Sequence, residues 1–190
     1  MRSEEILAQI ERNKHKALAT IGIDPDCEKN GLAILENGEI TLASVTFPEL
    51  IDKILDVWVR CKGDIKVIIE GGWLNEGHWH IPPKVRELPK SRALAYAAQM
   101  GNQVGRNAET GRKLIEMLEW RKIKPEVVKP LKKYWKGQGA KVDSDGRRSG
   151  GGKITHEELV AYLSRNRIVM KQKRTNQDAR DAALIAVIYR

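Results

Sequence analysis

The stretch VIIEGGW, residues 67–73, decides the fold more than any other part of this sequence. It opens with three consecutive β-branched residues at positions 67–69, which are typical of a buried strand. Glu70 ends this apolar run, and two glycines and Trp73 follow it. Because an unpaired carboxylate inside a core is costly, the position of Glu70 predicts a functional group at the end of a core strand.

Three strands before this stretch are predicted to form an antiparallel meander. Residues 16–24 end in Asp24, and the short loop that follows should fold the chain back onto a strand at 32–35. Asn37-Gly38 separates that strand from residues 40–45. Asn-Gly is the strongest short hairpin signal, because both turn positions need positive φ.

Residues 46–60 have an apolar pattern of helical period, and they connect the meander to the strand that contains Glu70. A helix between two strands is a crossover, which predicts a parallel partner for the later strand. The strand that ends in Asp24 has an edge that is still free to pair with the strand that contains Glu70. Asp24 and Glu70 should then end neighbouring parallel strands at one edge of the sheet, where open α/β sheets form their sites.

The remainder of the chain is predicted to be mostly helical. The longest helix runs from about Ser91 to Glu119, and its Gly- and Ala-rich seam indicates close packing against either the sheet or the same helix of a second subunit. The shorter elements are an N-terminal helix at about 3–13, a strand within 124–130, and helices at 155–165 and 175–190.

The composition is typical of a soluble globular protein. The 190 residues fit a single domain, 1–190, with 41% apolar and 31% charged residues. No apolar run reaches the roughly 18 to 20 residues of a membrane span, and the charged N-terminus lacks the apolar core of a signal peptide. Two cysteines without metal-binding spacing are typical of the reducing cytoplasm, which is the expected location.

The formal net charge is +9, and most of the excess lies in one segment. Between Arg121 and Lys153 there are eleven Lys or Arg residues and three acids, and the part at about 129–153 is also rich in glycine. This segment is either a solvated basic loop or a surface that faces phosphates, since clustered cations bind polyanions by releasing counterions.

Four acids form a candidate metal site. Asp178 and Asp181 are three residues apart and share one helix face, so the start of that helix can bring both over the strand ends that carry Asp24 and Glu70. Clustered carboxylates select Mg²⁺ or Mn²⁺, and two such ions about 3.5–4 Å apart can cleave a phosphodiester. Taken singly, the helical acids could instead complement the helix dipole, and Asp24 could be a turn residue.

These motifs, in this order, resemble the RuvC-type Holliday junction resolvases of the RNase H-like superfamily. The resemblance rests on IGIDP (21–25), VIIE (67–70), the long Ala/Gly-rich helix and DARDAALIAVI (178–188), and it spans about residues 18–190. It implies an α/β fold with a mixed five-stranded sheet, in the order 3-2-1-4-5, flanked by helices. It also implies a homodimer that nicks symmetric strands of a four-way DNA junction with Mg²⁺, in DNA recombination and repair.

The resemblance also implies roles for single residues. The four acids match the family's metal-binding acids, and Lys153 matches a lysine that faces the scissile region. Trp73 lies where the family often has an aromatic side chain that stacks on junction bases, although it could be a core residue under the loop. One departure is Asp26, which stands where a glycine usually follows Asp-Pro. It could disturb the approach of a phosphate or add an acid near the metals. The implied DNA-binding residues are Trp73, Lys129, Lys132, Lys133, Lys136, Arg147, Arg148 and Lys153.

The acids alone leave other functions open. A nuclease that acts on an RNA–DNA hybrid or on structured RNA would use the same two-metal chemistry. A non-catalytic nucleic-acid-binding protein on this fold would have no reason to keep four clustered acids. An actin-like ATPase domain also begins with a strand that ends in Asp, but such proteins need two of these domains. Two active sites of a dimer that face one junction would favour junction resolution, and the resemblance implies a structure-selective, Mg²⁺-dependent endodeoxyribonuclease.

Overall fold

The computed structural model describes residues 17–75, 85, 87–146 and 150–190. The helix predicted at about 3–13, and Arg147 and Arg148 of the implied DNA-binding residues, lie outside the described residues. The strands are β1 (Ala19–Asp24), β2 (Asn30–Glu36), β3 (Glu39–Val45), β4 (Ile65–Glu70), β5 (Glu126–Val128) and β6 (Val169–Met170). The helices are α1 (Phe47–Arg60), α2 (Lys90–Trp120), α3 (His156–Arg165) and α4 (Gln177–Ile188), with a short 3₁₀ helix at Gly72–Leu74.

The six strands belong to one mixed sheet with the order β5-β4-β1-β2-β3-β6. β1, β2 and β3 pair antiparallel, whereas β4 lies parallel to β1 and β5 lies parallel to β4. The predicted order of the first five strands is therefore confirmed. The sheet also has a sixth strand that the sequence does not predict, because β6 pairs with β3 over only two residues and carries no periodic pattern.

A tight hairpin joins β2 to β3, as the Asn37-Gly38 pair predicts. Both residues have positive φ, 51° and 79°, and Glu36 pairs directly with Glu39 across the two-residue loop. Asparagine and glycine tolerate this backbone region better than other residues do. The hairpin therefore fixes the register of the antiparallel half of the sheet.

Helices cover both faces of the sheet. α1 and the C-terminal part of α2 pack on one face, around a core that includes Ile21 and Leu118. α3 and α4 pack on the other face, around a core that includes Ala33 and Ala183. The molecule therefore has two apolar layers, one on each side of the sheet.

α4 approaches the sheet closely at Gly22 of β1. A Cβ atom at position 22 would lie 2.3 Å from the carbonyl oxygen of Ala182 and 2.6 Å from the main-chain nitrogen of Ala186. A larger residue would push the helix away, because packed interiors hold few voids that could absorb the added volume. The glycine therefore sets the height of α4 above β1, and with it the height of the acids that α4 carries.

The N-terminal half of α2 projects away from the sheet. Leu94 is 62% exposed, and apart from the helix's own backbone no atom of the described residues lies within 4 Å of a Cβ built on Gly101 or Gly105. The buried residues of α2 all lie between Gly111 and Leu118. The sheet therefore covers only the C-terminal end of the Gly/Ala seam, and pairing with a second subunit stays a prediction. α2 is too polar to cross a membrane, and no other described helix is long and apolar enough to do so.

Candidate active site

Asp24 and Glu70 lie side by side at one edge of the sheet. β1 and β4 are parallel neighbours in which Ile23 pairs with Ile69, so the next residue of each strand is a carboxylate. Both acids are half-buried. Burial raises the pKa of Glu70, and the main chain of Leu131, in the segment after β5, lies close enough to offset part of this rise. Two strand ends therefore hold two carboxylates close together.

Asp178 and Asp181 lie in the first turns of α4, which begins near the same edge. Asn176 caps the helix, since its side-chain oxygen accepts from the N–H of Ala179 at 3.0 Å. The charges of Asp181 and Asp178 both contribute to the raised pKa of Asp24, so these acids are within electrostatic range of one another. The structure thus brings Asp24, Glu70 and Asp181 to one place, and Asp178 lies within electrostatic range of Asp24.

Burial and neighbouring acids together keep a proton on the carboxyl group of Asp24 at neutral pH. Burial raises the pKa of Asp24 to about 8, and the charges of Glu70 and Asp181 add to the effect. Burial, followed by the charge of Asp181, also raises the pKa of Glu70. Either shared protons or bound cations relieve such repulsion. The site therefore attracts positive charge.

Lys153 supplies one positive charge within this acid cluster. Its Nζ atom lies 2.9 Å from Oδ2 of Asp181, and the two side chains are only 28% and 21% exposed. Although partial burial opposes it, the hydrogen bond and the charge of Asp181 raise the pKa of Lys153, so the ammonium group stays protonated at neutral pH. Oδ1 of Asp181 accepts from Nε2 of Gln177 at 2.8 Å. Asp181 is therefore held through both of its oxygens.

Arg180 ties the start of α4 to the segment before α3. Its Nε donates to the carbonyl oxygen of Ile154 at 3.0 Å, and its Nη2 donates to Oε1 of Gln177 at 2.8 Å. Because Ile154 follows Lys153 and Gln177 bonds Asp181, one guanidinium braces both partners of Asp181. No sequence pattern singles out Gln177 or Arg180, apart from the Asp-x-x-Asp motif that encloses Arg180.

The acids open into a cleft of about 190 Å³ that lysines border. At ~30 Å³ for a water molecule, this volume suits a phosphate group with a few waters rather than a whole nucleotide. Lys129 and Lys136 are exposed but lie outside the lining. The charged residues that line the cleft are Asp24, Glu70, Asp181, Lys132, Lys133 and Lys153.

Trp73 belongs to the 3₁₀ helix after β4, but its ring packs against α2. A Cβ atom on Gly111 would lie 2.5 Å from the ring, and Cζ of Arg112 lies 5.7 Å from the ring centroid. The side chain is half-buried and does not line the cleft. The structure therefore gives Trp73 a packing role at α2, and stacking on a base stays a prediction.

Asp26 is held by α2. Its Oδ2 accepts from Nδ2 of Asn107 at 2.9 Å, and its Oδ1 accepts from the N–H of Glu28 at 2.8 Å. Oδ1 of Asn107 in turn accepts from the N–H of Cys27 at 3.1 Å. Burial and the nearby charge of Asp26 raise the pKa of Asp178. Asp26 therefore lies beside the acid cluster, with its orientation set by Asn107.

The acid cluster fits a divalent cation in its chemistry but is not a ready-made metal site. Carboxylate oxygens are the ligands that Mg²⁺ and Mn²⁺ prefer, and a cation would offset the burial and the neighbouring negative charges that raise the pKa of Asp24 to about 8. Within the described part of the chain, no three Asp, Glu, His or Cys side chains are arranged to hold one ion. The ammonium group of Lys153 already contacts Oδ2 of Asp181, an oxygen that a metal ion would also use. Metal binding would therefore require Asp181 to exchange one of its contacts.

Known proteins resemble this chain in structure rather than in sequence. No protein-family model and no curated protein matches it. A solved structure of T. thermophilus RuvC in complex with a Holliday junction substrate is similar, with 17% identity over 90% of this chain and 91% of that chain and a TM-score of 0.44. A structure of Thermus thermophilus RuvC gives 16% identity over 89% of this chain and 91% of that chain, with a TM-score of 0.40.

Proposed function

We propose that the protein is a divalent-metal-dependent nuclease that hydrolyses phosphodiester bonds in branched DNA. One observation carries the proposal: the acids Asp24, Glu70 and Asp181 share a cleft with Lys132, Lys133 and Lys153. Acids that repel one another attract metal ions, and lysines attract phosphates, so the two sets together suit a phosphodiester. The motif order resembles that of RuvC-type resolvases, which makes a four-way junction bound by a homodimer the first substrate to test.

In this proposal Asp24, Glu70, Asp178 and Asp181 hold two Mg²⁺ ions, or Mn²⁺ in their place. Bound divalent ions would activate a water molecule and neutralise the charge on the leaving oxygen. The carboxyl group of Asp24 gives up its proton when positive charge enters the cluster, because repulsion between neighbouring acids helps to retain that proton. The strand ends keep Asp24 and Glu70 in place, so the adjustable ligands are those on α4.

Lys153 acts as a cation that Asp181 can release. If Asp181 held an ion, the ammonium group would lose this partner and would be free to contact a phosphate oxygen in the cleft. Its raised pKa keeps it protonated for that role. A protonated amine at that place stabilises the negative charge that develops as the phosphodiester reacts.

The test incubates the purified protein with a labelled mobile four-way junction, a linear duplex and an RNA–DNA hybrid, in Mg²⁺ and in Mn²⁺. Asp24→Asn removes one carboxylate at almost constant size, and Asp52→Asn, an exposed acid on α1, is the matched control. Paired nicks in opposed junction strands that only Asp24→Asn loses would support the proposal. Cleavage of the hybrid alone would move the assignment to a ribonuclease. Junction binding without cleavage in either metal would favour a non-catalytic nucleic-acid-binding protein.

A further inference from the structure

An exposed aromatic side chain stands at the rim of the acidic cleft. Tyr134 is 69% exposed. The residues on either side of it in the chain, Lys133 and Trp135, both line the cleft together with Asp24 and Glu70. Since consecutive Cα atoms are about 3.8 Å apart, the backbone of Tyr134 lies at the cleft edge.

The backbone that carries Tyr134 is pinned immediately after it. Trp135 and Gly152 exchange two main-chain hydrogen bonds of 3.1 and 2.8 Å. The N–H of Lys136 donates to Oε1 of Glu158 at 3.0 Å, at the N-terminus of α3. The carbonyl oxygen of Tyr134 lies only 2.8 Å from where a Cβ on Gly150 would be, so the returning chain packs tightly on this backbone. Tyr134 therefore projects from a fixed support.

Several other aromatic side chains of the described residues already make ring or cation–π contacts. The ring of Trp135 packs edge-on to Tyr162, at a centroid distance of 5.7 Å. Arg112 lies over the ring of Trp73, and Arg121 lies over the ring of Trp120. Among the described residues, no ring pair or cation–π contact involves Tyr134. The faces of its ring are therefore open to a planar partner.

We propose that Tyr134 stacks on a nucleobase next to the scissile phosphate. This inference rests on the proposed function, because it assumes a nucleic acid in the cleft. Lys132 and Lys133 attract the phosphates on one side, and an exposed ring on a fixed backbone gives the adjacent base a flat apolar surface. Stacking of this kind does not depend on which base is present, because every base has a π-face. In this inference Tyr134 makes the base-stacking contact that the family resemblance implies for Trp73.

The test measures binding of a four-way junction that carries 2-aminopurine beside the crossover, in EDTA so that no cleavage occurs. Tyr134→Ala is expected to raise Kd by about 5- to 100-fold and to abolish the stacking quench of 2-aminopurine. Tyr134→Phe keeps the ring and should bind within about twofold of the unsubstituted protein. Trp120→Ala is the matched control, since Trp120 is also 69% exposed but lies near the C-terminal end of α2. Thermal unfolding checks that each variant is folded.

The outcomes separate this inference from the proposed function. If the unsubstituted protein binds the junction and Tyr134→Ala binds it equally well, the stacking inference is wrong while the proposed function stands. If Tyr134→Phe binds as weakly as Tyr134→Ala, the hydroxyl group rather than the ring makes the contact. That result also overturns the stacking inference. If the unsubstituted protein binds neither junction, duplex nor hybrid, both proposals are wrong.

Discussion

A Cβ atom on Gly31 would lie 2.2 Å from the main-chain carbonyl oxygen of Asp178. Gly31 also pairs directly with Asp24 across β1 and β2. The missing side chain at position 31 therefore lets the first turn of α4 settle beside the strand end that carries Asp24. One glycine thus brings together acids that are distant in sequence.

Gly31→Ala should separate the acids as well as destabilise the fold. Its methyl group would meet backbone atoms that cannot rotate away, and overpacking of this kind costs about 1–3 kcal/mol of unfolding free energy. A displacement of about 1 Å at reacting groups slows catalysis by about 10²-fold. Urea denaturation and junction cleavage measure the two effects. Gly72→Ala is the control, because no atom of the described residues lies within 4 Å of a Cβ at that position. Equal behaviour of the two variants would contradict the prediction.

The metal-free protein should lose stability as the pH rises from about 4 to about 8. The pKa of Asp24 is raised from 3.8 to about 8 in the folded state, so between these values the folded chain holds a proton that the unfolded chain has released. Asn cannot ionise, so Asp24→Asn should be more stable at pH 8.5 by ~1–3 kcal/mol, and by much less at pH 4. Urea denaturation in EDTA at both pH values measures this difference in unfolding free energy. If Asp24→Asn were stabilised equally at both pH values, ionisation of Asp24 would not be the cause of its greater stability.

Divalent metal should stabilise the unsubstituted protein more than Asp24→Asn. A ligand that binds only the folded state adds stability in proportion to the logarithm of its concentration. Thermal unfolding with increasing Mn²⁺ should therefore raise Tm in the unsubstituted protein and in Asp52→Asn, but little in Asp24→Asn. The same rise in all three proteins would place metal binding away from the acid cluster.

Lys153→Met should separate cleavage from metal binding. Removal of the ammonium group leaves the developing negative charge without this partner, and cleavage should slow by about 10²-fold. The variant should bind Mn²⁺ at least as tightly as the unsubstituted protein, because Lys153 and an ion compete for Oδ2 of Asp181. Single-turnover cleavage and titration of free Mn²⁺ measure the two effects, with Lys53→Met, an exposed position on α1, as the control. If Lys153→Met lost both cleavage and Mn²⁺ binding, Lys153 would organise the site rather than compete with the ion for Asp181.

The lysines at the cleft should govern the salt dependence of nucleic-acid binding. Lys132→Ala and Lys133→Ala should each reduce the slope of log Kobs against log salt by about 0.9, the value for one phosphate contact on duplex DNA. Lys53→Ala, on the exposed face of α1, should leave the slope unchanged. Equal slopes in all three variants would place the phosphates elsewhere on the surface.

Trp73→Ala should destabilise the protein through lost packing. The ring fills the space above Gly111, and truncation of a packed aromatic costs about 3–5 kcal/mol when the side chain is fully buried. For the half-buried Trp73 we expect about 2 kcal/mol by urea denaturation. Trp120→Ala, at an exposed position, should change the unfolding free energy by less than about 0.5 kcal/mol. An unchanged stability in Trp73→Ala would argue against the packing role.

The parts of the fold that local patterns specify are those that the sequence predicts. Asn37-Gly38 specifies a hairpin through its own backbone preferences, and one amphipathic helix between strands requires a parallel crossover. The neighbouring positions of Asp24 and Glu70 follow from these two facts alone. The strand order of the first five strands follows from the same two facts and the resemblance.

The contacts that orient the site depend on distances between elements, which no local pattern encodes. Asn107 reaches Asp26 across 81 residues of sequence, and the bond exists only because α2 passes over the loop after β1. Likewise Gly111 appears in the sequence as one member of a small-residue seam, whereas in the structure it receives the ring of Trp73. The role of such residues becomes apparent only once the helices are in place.

The two outermost strands of the sheet are very short, since β5 has three residues and β6 has two. Just beyond β6, Nε2 of Gln172 donates to the carbonyl oxygen of Leu42 and occupies a further group on the edge of β3. Short or covered edges offer few unpaired backbone groups to the sheet of another molecule, which protects against edge-to-edge aggregation. Self-association of this chain would therefore favour helical surfaces, such as the exposed N-terminal half of α2.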